Sequence, residues 1–267
     1  GIVAKNSGTA GVTINQTAGT ITGGTTGIVA NGSTVAITAA GTGVTGGTDG
    51  IDMTGNGAGS SSGPGANILT VTGAITGTNG KGLSAIASSG TDLTIGQTAG
   101  TITGATYGIY AENDGTGATS VAMAGTVSAT GTNGAGISVA NASTATNLVI
   151  QQTAGSVSGG AAGINAVNAG TGATSITTVG PISATGTDGY GIYATNASTG
   201  TDLTIGQTAG TISGATYGIY AANAGKGATS VSTAGPVSAT GTSGTGIYAT
   251  NAGTDLTAVS YTHLRAH

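Results

Sequence analysis

The side chains that most often carry catalysis or bind metals are scarce in this chain of 267 residues. Cysteine is absent, and both histidines, His263 and His267, stand at the very end of the sequence. A Ser-His-Asp triad, a Cys-His pair and a histidine metal site therefore cannot be assembled from the rest of the chain. The few basic residues and the net charge of −4 also argue against a surface for nucleic acid.

Two other residue types recur at fixed spacing and are the candidate site residues. Five tyrosines could form an outward contact strip for a glycan or protein, or merely stabilise the surface by stacking: Tyr190, Tyr193, Tyr217, Tyr220 and Tyr248. Six asparagines could form a structural ladder bonded amide to amide, or be solvent-facing turn residues: Asn113, Asn141, Asn168, Asn196, Asn223 and Asn251.

The composition limits which elements can position these residues. Glycine accounts for 55 residues, charged residues for 4% and aromatic residues for 3%, so an ordinary core of large side chains is excluded. Disorder is disfavoured because 37% of the residues are hydrophobic, whereas disordered chains are polar and highly charged. Threonine, valine, isoleucine and tyrosine favour strands over helices. The composition therefore predicts an all-β chain.

An internal repeat organises most of the sequence. A Gly-Ile or Gly-Leu pair opens each unit, and the units settle at 27 to 28 residues from Gly108 onward, with a two-unit period of 55. Each unit has three short apolar segments separated by small residues, which indicates three strands. Such strands bury their apolar side chains only if neighbouring units stack.

We predict a right-handed, single-stranded parallel β-helix of about ten coils, which at a strand spacing of ~4.8 Å would measure roughly 48 Å. The array is expected to cover residues 1–257 as a fragment without caps, whose open ends would self-associate. The segment SYTHLRAH departs from the repeat. It resembles translated sequencing-adapter read-through, so residues 258–267 are interpreted as a disordered tail that is an artefact of this kind.

The acidic residues offer little for catalysis. Asp92, Asp202 and Asp255 share one repeat position, but Asp92 and Asp202 would lie ~19 Å apart, beyond the ~5 to 9.5 Å that glycoside hydrolysis requires. We therefore expect no enzyme activity, no metal and no cofactor. A β-helical polysaccharide lyase or hydrolase stays as an alternative. A remote further alternative is ice binding, because threonines flank the apolar residue of the third segment, as in Thr101-Ile-Thr103, and would form rows along the stack.

The segments GIYATNA, DLTIGQTAG and GTISGATYGIYA resemble the passenger region of autotransporters of Gram-negative bacteria, over about residues 1–257. The resemblance implies a β-helical stalk or adhesin at the cell surface or outside the cell, associated with the outer membrane. It further implies a C-terminal outer-membrane barrel beyond this chain, and adhesion to a protein or glycan of a host or neighbouring cell. A hemagglutinin-like exoprotein of a two-partner secretion system is the third alternative.

Overall fold

In the computed structural model, the described residues are 1–56, 66–90 and 92–260. They contain strands and turns and no helix. The strands are β1 (Ile2–Lys5), β2 (Val12–Gln16), β3 (Thr20–Gly23), β4 (Thr26–Gly32), β5 (Val35–Ala39), β6 (Gly43–Gly46), β7 (Asp49–Gly55), β8 (Asn67–Val71), β9 (Ala74–Gly77), β10 (Lys81–Ala87), β11 (Leu93–Gln97), β12 (Thr101–Gly104), β13 (Tyr107–Asn113), β14 (Thr119–Met123), β15 (Thr126–Ala129), β16 (Ala135–Asn141), β17 (Leu148–Gln152), β18 (Val157–Gly159), β19 (Ala162–Asn168), β20 (Thr174–Thr178), β21 (Ile182–Ala184), β22 (Tyr190–Asn196), β23 (Leu203–Gln207), β24 (Ile212–Gly214), β25 (Tyr217–Asn223), β26 (Thr229–Thr233), β27 (Val237–Ala239), β28 (Thr245–Asn251) and β29 (Leu256–Ser260).

Every third strand belongs to the same parallel sheet. Sheet A begins with β1 and sheet B with β2, and each has ten strands; sheet C begins with β3 and has nine. One coil consists of a strand from each sheet. The chain therefore forms a β-solenoid of about nine turns, and its last two strands, β28 and β29, begin a further coil. This confirms the all-β class, the stacked coils and the three strands per coil; the right-handed sense stays a prediction.

The register places each residue against its repeat equivalent. Ile109 pairs with Ile137, and Asn113 pairs with Asn141. Like side chains therefore form columns that run the length of the rod. Such columns let small coils share one continuous core, because each apolar residue is covered by its counterparts above and below.

The core is a set of inward columns contributed by all three sheets. The main column of sheet A is fully buried and consists of Ile28, Ile51, Leu83, Ile109, Ile137, Ile164, Ile192 and Ile219. Sheet C contributes the buried column Val44, Ile75, Ile102, Val127, Val157, Ile182 and Ile212. Large apolar residues thus occupy few positions per coil, which explains how so small an average side chain supports a core.

The last strand extends the array beyond the predicted boundary at residue 257. Ala258, Val259 and Ser260 continue β29 and pair with Val231, Ser232 and Thr233 of β26. Ala258 occupies the inward position that Val231 holds in the preceding coil, so the alternation needed for pairing persists. Residues 261–267, the rest of the predicted tail, lie outside the described residues.

Within the described segments, no helix is long and apolar enough to cross a membrane.

Candidate functional site

The five tyrosines of the predicted strip lie together on the outer face of sheet A. Tyr190 and Tyr193 come from β22, Tyr217 and Tyr220 from β25, and Tyr248 from β28. The register aligns Tyr190 with Tyr217 and Tyr193 with Tyr220, and Tyr220 with Tyr248. The sequence repeat therefore becomes two adjacent columns of rings, here called the tyrosine strip.

A glycine between the two columns lets both tyrosines of a strand face outward. Gly191 separates Tyr190 from the buried Ile192. A Cβ at Gly191 would lie 2.5 Å from the carbonyl oxygen of Gly218 and 2.7 Å from a methyl group of Ile212. Only glycine allows this close approach of one coil to the next. The Tyr-Gly-Ile-Tyr motif thus sets the geometry of the strip.

The rings form one continuous aromatic surface. Tyr193 and Tyr220 stack with centroids 5.0 Å apart and planes inclined by 6°, and Tyr220 and Tyr248 stack at 5.1 Å. Tyr190 and Tyr217 stack at 5.4 Å in the second column. Edge-to-face contacts join the columns, such as Tyr217 with Tyr220 at 5.3 Å. These distances are typical of favourable aromatic pairs.

The environment of the strip favours neutral phenols. Burial raises the pKa of Tyr190, and the neighbouring phenols Tyr217 and Tyr193 raise it further. Burial likewise raises the pKa of Tyr220, with Tyr193 and Tyr248 as the next contributors. The rings are half-buried, except Tyr248, which is 40% exposed. Tyr190 and Tyr220 therefore stay uncharged at neutral pH and keep their hydroxyl groups.

A second aromatic pair lies further along the same face. Tyr107 and Tyr110 on β13 have ring centroids 5.2 Å apart. The Lys81 ammonium lies 4.1 Å from the Tyr110 centroid, and the Tyr110 hydroxyl donates to Glu112 Oε2 at 2.7 Å. Sequence reasoning missed the role of Lys81. The signal was available, because the repeat register places Lys81 beside Tyr107.

The six asparagines of the predicted ladder form a column at the end of the sheet A strands, in register from Asn113 to Asn251. The first five are at most 3% exposed, so the solvent-facing alternative does not describe them. Their bonding differs from the expected amide-to-amide contacts. Each amide instead bonds the chain at the corner between sheets A and B, because the backbone groups of that corner need buried partners.

Two bonding modes alternate along this column. Asn113 Oδ1 accepts from the Gly115 backbone N–H at 2.9 Å, as Asn168 and Asn223 do from Gly170 and Gly225. Asn141 Oδ1 instead accepts the hydroxyl of Thr119, a residue of the preceding coil. Asn196 accepts from Thr174 in the same way. Asn251, in the last coil, combines both modes, since its Oδ1 accepts from the Thr229 hydroxyl and from the Gly253 N–H at 3.2 Å. The two-unit period of the sequence thus has a physical counterpart.

The repeated acidic position also serves the backbone. Asp92 Oδ1 accepts from the Ala118 N–H at 2.8 Å, and Asp202 Oδ1 accepts from the Ala228 N–H at 2.8 Å. Asn147 makes the equivalent bond to Ala173 at 2.9 Å. An amide thus replaces the carboxylate without loss of this contact. The arrangement fits a structural role in joining coils, and the described residues contain no group of three or more acidic or histidine side chains close enough to hold a metal.

Asp52 of β7 is a partly buried carboxylate on sheet A. Burial raises the pKa of Asp52, and the nearby Asp49 raises it further. Asp49 Oδ1 accepts from the Lys81 backbone N–H at 2.6 Å. The Asp49 carboxylate thus also bonds the backbone of a neighbouring coil.

The hydroxyl ranks behind the ice-binding alternative lie on sheet C. Thr103 Oγ1 and Ser128 Oγ are 3.3 Å apart along one rank. Pro181 and Pro236 interrupt the other rank, so the face is less regular than the tyrosine strip.

Compared with known proteins, the chain matches no family model, no curated protein and no solved structure. The structure therefore carries the functional argument.

Proposed function

We propose that this chain is a non-catalytic structural rod at the cell surface, and that the tyrosine strip is its contact surface. The observation that carries the proposal is the continuous aromatic surface of five tyrosines from three successive coils. Tyrosine is enriched at contact hot spots because its ring supplies apolar area while its hydroxyl bonds polar groups.

The rest of the molecule supports a scaffold. The columns of buried isoleucine, valine and leucine continue from coil to coil, and the acids at the repeated position bond backbone groups. A solenoid of this kind holds a surface feature at a fixed distance from its base. The buried columns thus form the rod, and the tyrosine strip is its contact surface.

We further propose the autotransporter route for this rod, with an extracellular or outer-membrane-associated location. Coils that depend only on their neighbours can fold one after another as a chain emerges. The absence of cysteine suits passage through an oxidising compartment, where stray disulfides would form. The binding partner we propose is a protein or glycan of a host or neighbouring cell.

Removing rings from the strip tests its role. The triple variant Tyr193→Ser, Tyr220→Asn and Tyr248→Ser uses residues that the same column already contains, namely Ser138 and Asn165. Beads coated with the parent chain should attach to bacterial or epithelial cells, and beads coated with this variant should lose most of that attachment. Attachment equal to the parent's would overturn the proposal, as would a parent that attaches no better than albumin-coated beads.

A matched control removes tyrosines outside the strip. The variant Tyr107→Ala and Tyr110→Ser introduces the residues that Ala135 and Ser138 supply in the next coil. It should attach like the parent. Loss of attachment in this control as well would assign the effect to the sheet A face in general and would contradict a role confined to the strip.

Self-association through the outermost strands is a separate proposal. Val3 of β1 is 68% exposed and Leu256 of β29 is 50% exposed, and the edge of a sheet offers unpaired backbone groups to another strand. Sedimentation velocity over a wide concentration range should show growing end-to-end oligomers. A strictly monomeric chain would contradict this proposal and leave the strip untouched.

A further inference from the structure

From β12 onward, the corner between sheet C and sheet A alternates in length. It has two residues after β12, β18 and β24, and five residues after β15, β21 and β27. Each long corner closes in a turn, such as the bond from the Gly134 N–H to the Gly131 carbonyl at 3.0 Å. The short corners after β18 and β24 therefore each lie in a gap between two long ones.

One of these gaps forms a cavity of about 430 Å³. Its floor includes Ala161, in the short corner after β18. Thr132 and Asn133 line one wall, from the long corner after β15. Thr187 and Asp188 line the other wall, from the long corner after β21. The cavity is thus built from three successive coils.

The sequence of the short corner after β18 accounts for the open space in this gap. The segments after β12 and β24 read Ala-Thr-Tyr, at residues 105–107 and 215–217. The segment after β18 reads Gly-Ala-Ala, at residues 160–162. Ala161 and Ala162 thus stand where the other short corners have threonine and tyrosine. This departure from the repeat places smaller side chains at both positions, and Ala161 lines the cavity.

The cavity walls are held in place by backbone hydrogen bonds. The Ala161 N–H donates to the Gly134 carbonyl at 2.8 Å, and the Tyr190 N–H donates to the Ala161 carbonyl at 2.9 Å. The second long corner closes through the Gly189 N–H and the Gly186 carbonyl at 3.1 Å. A pocket fixed in this way binds a ligand with little ordering cost.

We propose that this cavity binds a neutral hexopyranose sugar, either free or as one unit of a glycan. The walls present hydroxyl, amide and carboxylate groups, which together donate to and accept from neighbouring sugar hydroxyls. The volume is within the range of small-ligand sites, and Ala161 offers a small apolar floor for the C–H face of a ring. The proposal goes beyond the tyrosine strip, because no ring of the strip lines the cavity.

Charge selects the class of sugar. Asp188 is the one ionisable side chain among the cavity-lining residues, so the cavity provides no cation for a carboxylate or phosphate. Acidic sugars would lie beside a carboxylate of the same sign, which disfavours them. The hydroxyl groups of a neutral ring can donate hydrogen bonds to the Asp188 carboxylate.

Titration of the ¹⁵N-labelled 267-residue chain by NMR tests the proposal. The probes are glucose, galactose, mannose and N-acetylglucosamine, with glucuronic acid and glucosamine as charged counterparts. At least one neutral sugar should saturably shift the amide signals of Asn133, Ala161 and Asp188. The proposal would be overturned if no neutral sugar does so, or if glucosamine or glucuronic acid binds more tightly than every neutral sugar.

Two variants and a matched control sharpen the test. Ala161→Leu fills the floor and should weaken binding by about tenfold or more, whereas Thr216→Leu, at the equivalent position after β24, should change affinity by less than about twofold. Asp188→Asn makes residues 186–189 identical to residues 131–134 and removes the carboxylate, so it should narrow the difference in affinity between the neutral sugar and glucuronic acid. Unchanged affinity in Ala161→Leu, or undiminished discrimination against glucuronic acid in Asp188→Asn, would contradict the proposal.

The tyrosine-strip triple variant separates this site from the proposed contact surface. It should bind the sugar like the parent, since the strip and the cavity share no lining residue. Sugar binding can therefore fail while attachment through the strip persists, and the reverse also holds.

Discussion

The Thr119 hydroxyl donates a hydrogen bond of 2.6 Å to Asn141 Oδ1 in the next coil. Thr119 is fully buried and Asn141 is 3% exposed. The bond between them therefore replaces the hydrogen bonds that these two groups would make to water in the unfolded chain. The bond recurs two and four coils further along, between Thr174 and Asn196 and between Thr229 and Asn251. These bonds connect the inward face of sheet B with the end of a sheet A strand.

Replacing a threonine of this series by valine should destabilise the rod. In Thr174→Val the shape is kept, but Asn196 Oδ1 loses the hydroxyl that it accepts. A buried acceptor without its partner costs about 1–3 kcal/mol. Urea denaturation followed by circular dichroism should show this loss. Ser175→Ala, on the outward face of the same strand, is the control and should change stability little.

The substitution Thr178→Val, in the same strand, should raise the free energy of unfolding instead of lowering it. Thr178 is fully buried, and its hydroxyl has no hydrogen-bond partner among the described residues. Thr178→Val removes a polar group that is desolvated without compensation, so it should stabilise the rod by about 1 kcal/mol. The same urea measurement applies. A loss of stability in Thr178→Val would show that its hydroxyl is satisfied in solution.

Two glycines of one coil should respond differently to alanine. Gly210 has a φ of +76°, and a Cβ there would lie 2.6 Å from the Gly180 carbonyl carbon. Gly206 has nothing within 4 Å of a Cβ, and its neighbours in the column include Thr177. Gly210→Ala should cost more than about 2 kcal/mol, through left-handed strain and the clash. Gly206→Ala should be neutral or stabilise by up to about 1 kcal/mol. Equal stability of the two variants in thermal denaturation would contradict this account.

Alkaline pH should weaken the rod through its tyrosines. The pKa values of Tyr190 and Tyr220 are raised by burial and by neighbouring phenols, whereas an unfolded tyrosine titrates near ~10. Above that pH the folded state binds more protons than the unfolded state, so stability falls as pH rises through the raised values. Absorbance at 295 nm should show these phenols ionising late.

The variant Tyr193→Ser tests whether the neighbouring phenol contributes to the raised pKa values. Tyr193 is one of the neighbours that raise the pKa of both Tyr190 and Tyr220. Its removal should move both titrations toward the ordinary value. Simultaneous ionisation of all tyrosines in the parent chain at the ordinary pH would be inconsistent with the geometry of the strip.

The stacked fold could be predicted from sequence because identical residues recur at one spacing. A period of 27 to 28 residues leaves parallel stacking as the arrangement that pairs Ile109 with Ile137 and Tyr193 with Tyr220. Columns follow from the period alone. The tyrosine strip could therefore be placed before any coordinates were known.

The partners of polar side chains could not be predicted in the same way. Asn113 and Asn141 occupy the same column, yet one bonds its own corner and the other accepts from the preceding coil. The difference depends on the residues that follow, since Gly115 offers its N–H to Asn113. The period fixes position, whereas local backbone geometry decides which groups come within bonding distance.

A column of buried glutamines was missed for a related reason. Gln97, Gln152 and Gln207 end strands of sheet B and are at most 2% exposed. Each donates from Nε2 to the carbonyl of a glycine three residues later, as Gln207 does to Gly210 at 3.0 Å. The recurring Gln-Thr-Ala-Gly segment was the available signal. A long polar side chain in a turn segment is usually solvated, so its burial follows from the fold.

Threonine and leucine alternate from coil to coil at the repeat position of Thr119, and this alternation limits which changes in the number of coils the fold tolerates. In the threonine column, Leu93 and Leu148 stand on either side of Thr119. Deleting the coil that carries Thr174 would place Asn196 after the coil of Leu148, so that the Asn196 amide oxygen would lose its donor. Deleting or duplicating two coils, about 10 Å of rod, restores every donor to its acceptor. Shortening or lengthening events should therefore survive in blocks of 55 residues, so that the reach of the molecule varies in discrete steps.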